Sequence, residues 1–303
     1  MQHGHNYILI SPVKDEERYV ERTITAVVSQ TLRPLLWILV DDESSDQTPR
    51  ILERYARKFE WVKTMRLQGL SKMKPGAAEV RAFNAGYQAI GNTNFDYLVK
   101  LDCDLDLPSD YFERLVERFL QDPKLGIASG IYLEKTKDKW SPVTMPAYHA
   151  AGASKMMRRA CHDDIGGLIA ERGWDTVDEI RAQMAGWKTC HFEDLRFFHL
   201  KTEGSRVGSL RTSAMQGEVY YLTGGSGLFF LLKLLDRSIR AKPMFIASIA
   251  MLSGFLSFLI SGKKRLVNDA EARFYRRLLN ARILQMFGLR LGAKAKHTAL
   301  GAS

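Results

Sequence analysis

The chain is 303 residues long, 46% hydrophobic and 26% charged, a balance that suits a full α/β domain with an appendage and excludes a disordered or fibrous chain. Its net charge of +10 is unevenly placed, because residues 201–303 hold 17 Lys and Arg against 5 Asp and Glu and the first 200 residues stand at −2. The basic tail joins its charges to long apolar runs rather than to interleaved aromatics, which argues against a nucleic acid partner and for a membrane surface.

Ahead of the first strand, Met-Gln-His-Gly-His has no apolar h-region, so nothing there predicts secretion. Three cysteines, at 103, 161 and 190, have no metal-ligand spacing and suit a reducing compartment. Tyr7-Ile-Leu-Ile-Ser-Pro12 reads as a buried strand that leads into an acidic loop, Lys14 to Glu17. A helix follows with Val20, Ile24, Val27 and Val28 on one face. Leu36 to Val40 is the next strand and stops at Asp41-Asp42-Glu-Ser-Ser-Asp46, with a helix from about Thr48 to Lys58 behind it. Val62 to Arg66 reads as a short strand, and the basic loop Ser71 to Gly76 opens a helix carrying Arg81 and Asn84. Tyr97-Leu-Val-Lys-Leu101 then ends in Asp102-Cys-Asp104. Strand–helix alternation at this spacing predicts a mostly parallel, nucleotide-binding sheet flanked by helices.

Two apolar strands that stop at carboxylates put acidic groups where an open α/β sheet presents side chains to a ligand. A diphosphate would repel bare aspartates, so Asp102 and Asp104 make chemical sense with Mg²⁺ or Mn²⁺ between them and the phosphates. Period-two alternation puts both on one side of the strand and turns Cys103 toward the sheet packing. A second reading makes these aspartates part of a helix start, with Ser109 or Asp110 as N-cap.

Four motifs occur in order: Pro-x-x-Asp-Glu at 12–16, Val-Asp-Asp-x-Ser-x-Asp at 40–46, Arg-x-x-Asn-x-Gly at 81–86 and Asp-x-Asp at 102–104. Together they resemble the family-2 inverting glycosyltransferases of the glycosyltransferase-A fold, over roughly residues 6–205. The resemblance implies that Asp42 accepts from the base N–H of a nucleotide-sugar donor, that Pro12 and Glu16 lie against the nucleoside, and that Asp102 faces the ribose. It implies Asp104 as a metal ligand and Arg81 as a partner of the diphosphate; a helix arginine paired with Glu79 or Asp102 is the alternative. Lys14-Asp15 departs from the aromatic residue and Asn of many relatives.

An inverting transfer needs a base that takes the proton of the acceptor hydroxyl, outside the metal cluster. In the resembled family a Glu-Asp pair opens a helix that ends in Gly plus an aromatic residue. Counting back from Gly186-Trp187, that register makes Asp175 the base and puts Trp174 in place of the Glu, with Asp178 and Glu179 as reserve candidates for the base. Asp175 with Asp178 also resembles a capping box. The same resemblance makes His199, in the apparent strand after Trp187, a candidate to complete the metal shell. The composition of Lys201-Thr-Glu-Gly-Ser-Arg206 alone suggests a flexible loop that carries Arg206 over the diphosphate.

The expected division is a catalytic domain, 1–212, and a basic, apolar helical region, 213–303, that associates with a membrane. Met244 to Ser261 runs 18 residues without a charge, at the lower limit for a bilayer span, with basic flanks on both sides. In-plane helices or a re-entrant hairpin at the cytoplasmic face suit both flanks better than a single span. From Asp269 the chain reads as an amphipathic basic helix. The expected activity is transfer of a sugar to a hydroxyl acceptor such as a lipid-linked saccharide, in polysaccharide or glycolipid synthesis. A non-catalytic membrane- or lipid-binding scaffold is the rival. A nucleotidyltransferase is disfavoured, since acidic Asp15 to Glu17 stands where its Gly-rich phosphate loop would be.

Overall fold

β-branched and aromatic residues fill the strand interiors of the computed structural model, which describes residues 5–68, 77–136, 138–201, 208–240 and 245–286. In chain order, β1 (Tyr7–Val13), α1 (Val20–Val28), β2 (Leu36–Asp41), α2 (Thr48–Lys58), β3 (Val62–Arg66), α3 (Ala77–Ala89) and β4 (Tyr97–Leu101) form the first half. There follow β5 (Leu105–Asp106), α4 (Tyr111–Gln121), β6 (Leu125–Thr136), β7 (Lys139–Pro142), β8 (Ser154–Arg158), α5 (Arg159–Asp164), α6 (Trp174–Met184) and β9 (Lys188–His199).

One sheet joins the strands in the order β3-β2-β1-β4-β8-β6-β9-β5, with β7 paired to β6. It corrects the expectation of a mostly parallel sheet. β1, β2, β3 and β4 pair in parallel, as does β6 with β9, but β8 runs antiparallel to both β4 and β6, and β5 antiparallel to β9. The chain reverses through the β6/β7 hairpin and inserts β8 between β4 and β6, antiparallel to both, and only then returns through α5 and α6 to lay β9 parallel to β6. Gly130 lies at the register shift of β6 against β9, where a Cβ would overlap the carbonyl of Leu195.

Alternating side chains feed two apolar layers. Tyr7, Leu9, Trp37, Leu39, Tyr97 and Val99 pack with α1, α2 and α4 on one face. Ile8, Ile10, Ile38, Val40 and Leu98 pack on the other with Phe83 of α3 and with Trp174 and Ala182 of α6. Two members of the Arg-x-x-Asn-x-Gly motif serve this packing. A Cβ at Gly86 would stand 2.7 Å from Ile10 Cγ2 and 2.9 Å from Val40 Cγ2, and Asn84 Nδ2 donates to the Leu168 carbonyl at 3.0 Å. Pro12 sits where β1 has run past its pairing with β4, which ends at Ile10, so its missing N–H costs no bond to that strand.

The chain divides into two compact units, Met1–Thr212 and Ser213–Ser303. In the second, α7 (Ser209–Leu222) from Ser213 onward, α8 (Gly227–Arg240), α9 (Ile246–Ile260) and α10 (Asp269–Met286) accompany an aromatic cluster in which Phe230 lies 4.8 Å from Tyr220 and 4.6 Å from Phe255. α7 and α9 approach so closely that a Cβ at Gly217 or Gly254 would overlap the carbonyl of Met251 or Ala214. The apolar stretch expected from Met244 to Ser261 is a helix of 15 residues, and among the described residues no helix is long and apolar enough to cross a membrane. Met244 itself lies outside the described residues.

Candidate active site

Parallel β1, β2 and β4 deliver their carboxyl ends to one edge of the sheet, so the loops behind them are neighbours. The first two are laced together through short polar side chains. Asp15 N–H donates to Ser44 Oγ at 3.0 Å, Glu16 N–H to Thr48 Oγ1 at 2.9 Å and Glu17 N–H to Asp46 Oδ2 at 3.1 Å. Ser45 N–H returns a bond to Asp15 Oδ1 at 2.8 Å. Asp15 and Glu43 hold φ of 51° and 57°, the left-handed region such turns use.

Asp41 and Asp42 divide the labour within this edge. Asp41 Oδ1 accepts from Ser44 N–H at 2.9 Å and fixes the turn. Asp42 is 5% exposed, its backbone carbonyl accepts from Lys14 Nζ at 2.9 Å, and its Oδ1 is buried with no hydrogen-bond partner. Burial raises the Asp42 carboxyl pKa against the pull of Lys14. A buried acceptor left open is a place for a ligand N–H. Half-buried Pro12 lies on the neighbouring strand, in register with Val40, and Glu16 Oε1 accepts from Lys201 Nζ at 2.6 Å.

Asp102 and Asp104 have different surroundings although they are two residues apart. Lys100 Nζ, fully buried, donates to Asp102 Oδ1 at 2.6 Å and to the Gly152 carbonyl at 2.9 Å and also pairs with Glu79 of α3. Burial pushes the Asp102 carboxyl up, with Lys100 opposing, and its side chain keeps 27% exposure. Cys103 is 2% exposed in the apolar layer, turned away as period two requires. Backbone pairing of Leu105 with His199 places His199 Nε2 3.4 Å from Asp104 Oδ2. His199 Nδ1 lies 3.3 Å from Glu134 Oε1. Burial disfavours the imidazolium, but Asp104 outweighs it and the pKa rises to about 9.

Among the described residues no group of three or more His, Cys, Asp or Glu forms a ready cage for a metal ion. The Asp104–His199 pair still fits a divalent cation that takes its other ligands from a diphosphate. Asp104 Oδ1 is buried without a hydrogen-bond partner, and a carboxylate beside an imidazole is a donor set that Mn²⁺ or Mg²⁺ accepts.

The strand β8 and helix α6 complete the arrangement. α6 starts at Trp174 behind Gly173, which holds the N-cap position with a φ of 94° and no side-chain cap bond, so Asp175 lies in the first turn rather than at the cap. The capping-box reading of Asp175 and Asp178 is therefore not what this helix uses. Asp175 is partly exposed, while Asp178 and Glu179 are buried. Lys155 Nζ of β8 lies 2.9 Å from Asp178 Oδ2 and 3.4 Å from Glu179 Oε1, and donates to the Asp175 carbonyl at 3.2 Å. Glu179 also accepts from Ala150 N–H at 2.8 Å and faces His149 Nδ1 at 3.0 Å. The loop at Gly152 links the two halves: Asp102 N–H donates to the Ala153 carbonyl at 2.8 Å, and a Cβ at Gly152 would stand 3.3 Å from the Trp174 ring and 3.9 Å from Asp175 Cβ.

Thus Asp42 follows the end of β2, Asp102 and Asp104 follow the end of β4 with His199 beside Asp104, and Asp175 lies near Gly152, whereas Asp178 and Glu179 are held by Lys155. Arg81 is exposed on α3, and Glu79, its expected alternative partner, is held by Lys100 instead. Arg206 and the loop 71–76 fall outside the described residues. Lys100, Lys155 and Lys201 were not read from the sequence. For Lys100 a signal was available, a lysine in the middle of the apolar run Tyr97 to Leu101, which requires a buried carboxylate partner.

A model of the family described as Glycosyl transferase family 2 matches residues 8–174, more than half the chain. A glycosyltransferase of Haloferax volcanii, AglD, is 28% identical over 223 residues, 62% of this chain and 32% of that protein. The beta-monoglucosyldiacylglycerol synthase of a Synechocystis species is 25% identical over 204 residues, 59% of this chain and 40% of the synthase. The chain thus spans well under half the length of either relative. Among solved structures, a Pyrobaculum calidifontis mannosyltransferase in complex with GDP-Man and Mn²⁺ matches with TM-score 0.54 at 14% identity, over 92% of this chain and 80% of that one. GalNAc-T7 with UDP, GalNAc and Mn²⁺ matches with TM-score 0.60 at 15% identity, over 95% and 59%. These structures share the fold.

Proposed function

The chain belongs to glycosyl transferase family 2, and from that premise we propose an inverting, metal-dependent transferase that moves a sugar from a nucleotide-sugar to a hydroxyl acceptor. The observation that carries the reading is the pairing of Asp104 with His199 at 3.4 Å, with Asp104 Oδ1 buried and open, on the same sheet edge as the open Oδ1 of Asp42.

In this reading Asp42 Oδ1 accepts the base N–H, Pro12 and Glu16 flank the nucleoside, and Asp102 meets the ribose, while Arg81 on α3 reaches toward the diphosphate. Asp104 and His199 would hold Mg²⁺ or Mn²⁺, which when bound neutralises the leaving diphosphate. Asp175 takes the proton of the acceptor hydroxyl as the new bond forms at the anomeric carbon, on the face opposite the departing nucleotide. Its partial exposure supports this assignment over Asp178 and Glu179, whose oxygens are tied to Lys155. The acceptor we propose is a lipid-linked saccharide or glycolipid, in polysaccharide or glycolipid synthesis at the cytoplasmic face of a membrane; that a relative is a glucosyldiacylglycerol synthase supports it.

Calorimetry with UDP, GDP and their sugar conjugates, with and without Mn²⁺, tests the proposal on the wild type and Asp104→Ala. The expected result is metal-dependent binding of one nucleotide that the variant loses. Absence of nucleotide binding under every metal condition would overturn it.

A further inference from the structure

The helices α8 and α9 expose more large apolar surface than any need of the fold explains. On α8, Leu231, Leu235 and Ile239 are solvent-facing, and on α9, Ile249, Leu256 and Ile260, with Ile239 73% and Ile260 83% exposed. At 3.6 residues per turn each set falls on one narrow arc. The opposite side of α9, with Ala247, Met251 and Gly254, is buried, and Gly254 meets the backbone of α7.

Both exposed arcs lie on the same side of the pair. Phe230, early in α8, stacks on Phe255, late in α9, while the later Leu234 carbonyl accepts from Ser248 Oγ, early in α9, at 3.0 Å, so the helices run antiparallel. From this seam, the exposed arc is displaced in the same rotational sense along each helix. Antiparallel neighbours reverse that sense in space, which brings the two arcs to one face.

Charge identifies what covers the face. Lys263, Lys264 and Arg265 are exposed directly after Ile260, in a unit whose residues 213–303 hold 14 Lys and Arg against 4 Asp and Glu. A second copy on this face would bring like charges together, whereas an anionic headgroup layer would neutralise them. A span is ruled out for α9 by length: 15 residues rise about 22 Å against a hydrocarbon core of about 30 Å. One arc is in any case committed to α7.

We infer that the exposed arcs of α8 and α9 dock the C-terminal unit onto an anionic lipid bilayer, the helices lying in the interfacial plane and Lys263, Lys264 and Arg265 among the headgroups. The inference rests on the proposed function for its purpose, since an acceptor carried in lipid must be met at that surface.

The test is co-sedimentation of the full chain with vesicles of phosphatidylcholine alone or with about one quarter phosphatidylglycerol, at low and high salt. The wild type should bind the anionic vesicles and release as salt rises. Leu235→Ser/Ile249→Ser/Ile260→Ser should lower the partition about tenfold or more, and Lys263→Glu/Lys264→Glu should abolish the anionic preference. Both variants should keep the wild-type circular dichroism and nucleotide calorimetry. Failure of the wild type to bind either vesicle overturns the inference, as does a triple variant that binds as well as the wild type. A wild-type dimer in light scattering that the triple variant dissolves also overturns it, because the face then belongs to a second copy. Vesicle binding without nucleotide binding leaves the surface standing while the transferase reading falls, and the converse separates them the other way.

Discussion

Lys100 of β4 and Lys155 of β8 are cross-strand partners, and both direct their ammonium groups at the ring of Trp174, at 5.3 and 5.0 Å from its centroid. Two buried like charges side by side are unfavourable alone. Four carboxylates offset them, Asp102 and Glu79 around Lys100, Asp178 and Glu179 around Lys155. The indole sits between the two clusters and directly precedes Asp175, so it ties the donor-side Asp102 to the proposed base.

Replacing the ring tests that tie. Trp174→Leu removes both cation–π contacts, each worth about 0.5–2 kcal/mol, and leaves space in a packed layer. The expected outcome is a loss of about 2–4 kcal/mol in urea unfolding and a fall in kcat larger than any rise in donor KM. Trp174→Phe keeps a π-face and should recover most of kcat. Equal losses in kcat for Phe and Leu would show that the contacts with the lysines do not position the site.

Lys155 carries a separate liability. Lys155→Met leaves Asp178 and Glu179 buried without their cation, at a cost of about 3–5 kcal/mol. Adding Asp178→Asn removes one of the stranded charges, and the double variant should unfold at a higher urea midpoint than the single one. A double variant no more stable than Lys155→Met would mean that the two groups are not energetically coupled.

The His149 imidazole gives the cluster a pH dependence. Burial lowers its pKa, but the Glu179 carboxylate, then the hydrogen bond to it and the charge of Asp175 outweigh burial and the opposing Lys155, and the net shift is upward from 6.5. Its neighbour His191 meets it through the backbone, Nδ1 to the His149 carbonyl at 2.8 Å. A raised folded-state pKa means that the charged pair contributes stability in full below about 6.5 and loses it as pH climbs through the folded value. The stability difference between wild type and His149→Gln should therefore be greatest near pH 6 and shrink toward pH 8. A difference that is flat across that range would remove the His149–Glu179 charge interaction from the account.

Which parts were legible in the sequence follows from how each is encoded. The strands β1, β2 and β4 are apolar runs that stop at carboxylates, and His199, in the apparent strand after Trp187, was singled out by the family resemblance. β8 was not legible: Ser154-Lys-Met-Met-Arg158 carries a lysine at its second position, and only the three-dimensional meeting with Asp178 makes that residue a strand interior. The antiparallel insertion of β8 is likewise a property of long-range pairing rather than local pattern. Asp178 and Glu179 stayed in reserve behind Asp175 because helix spacing does not say which carboxylate a distant lysine will claim.

That distinction gives the sharpest chemical prediction. Asp175→Asn keeps the shape of the first turn of α6 and the carbonyl that Lys155 meets, but removes the proton acceptor. If Asp175 is the base, kcat falls by about 10²- to 10⁴-fold while nucleotide binding in the presence of Mn²⁺ and the urea midpoint stay near wild type. Asp178→Asn should do the reverse. It removes a charge from a buried pair, so the midpoint moves, but the oxygens lost were never free to meet an acceptor, and the remaining activity per folded molecule should stay within a few-fold of wild type. Should Asp178→Asn abolish turnover with its stability intact while Asp175→Asn remains active, the base would have to be reassigned. Lys155 would then have to release Asp178 during the reaction.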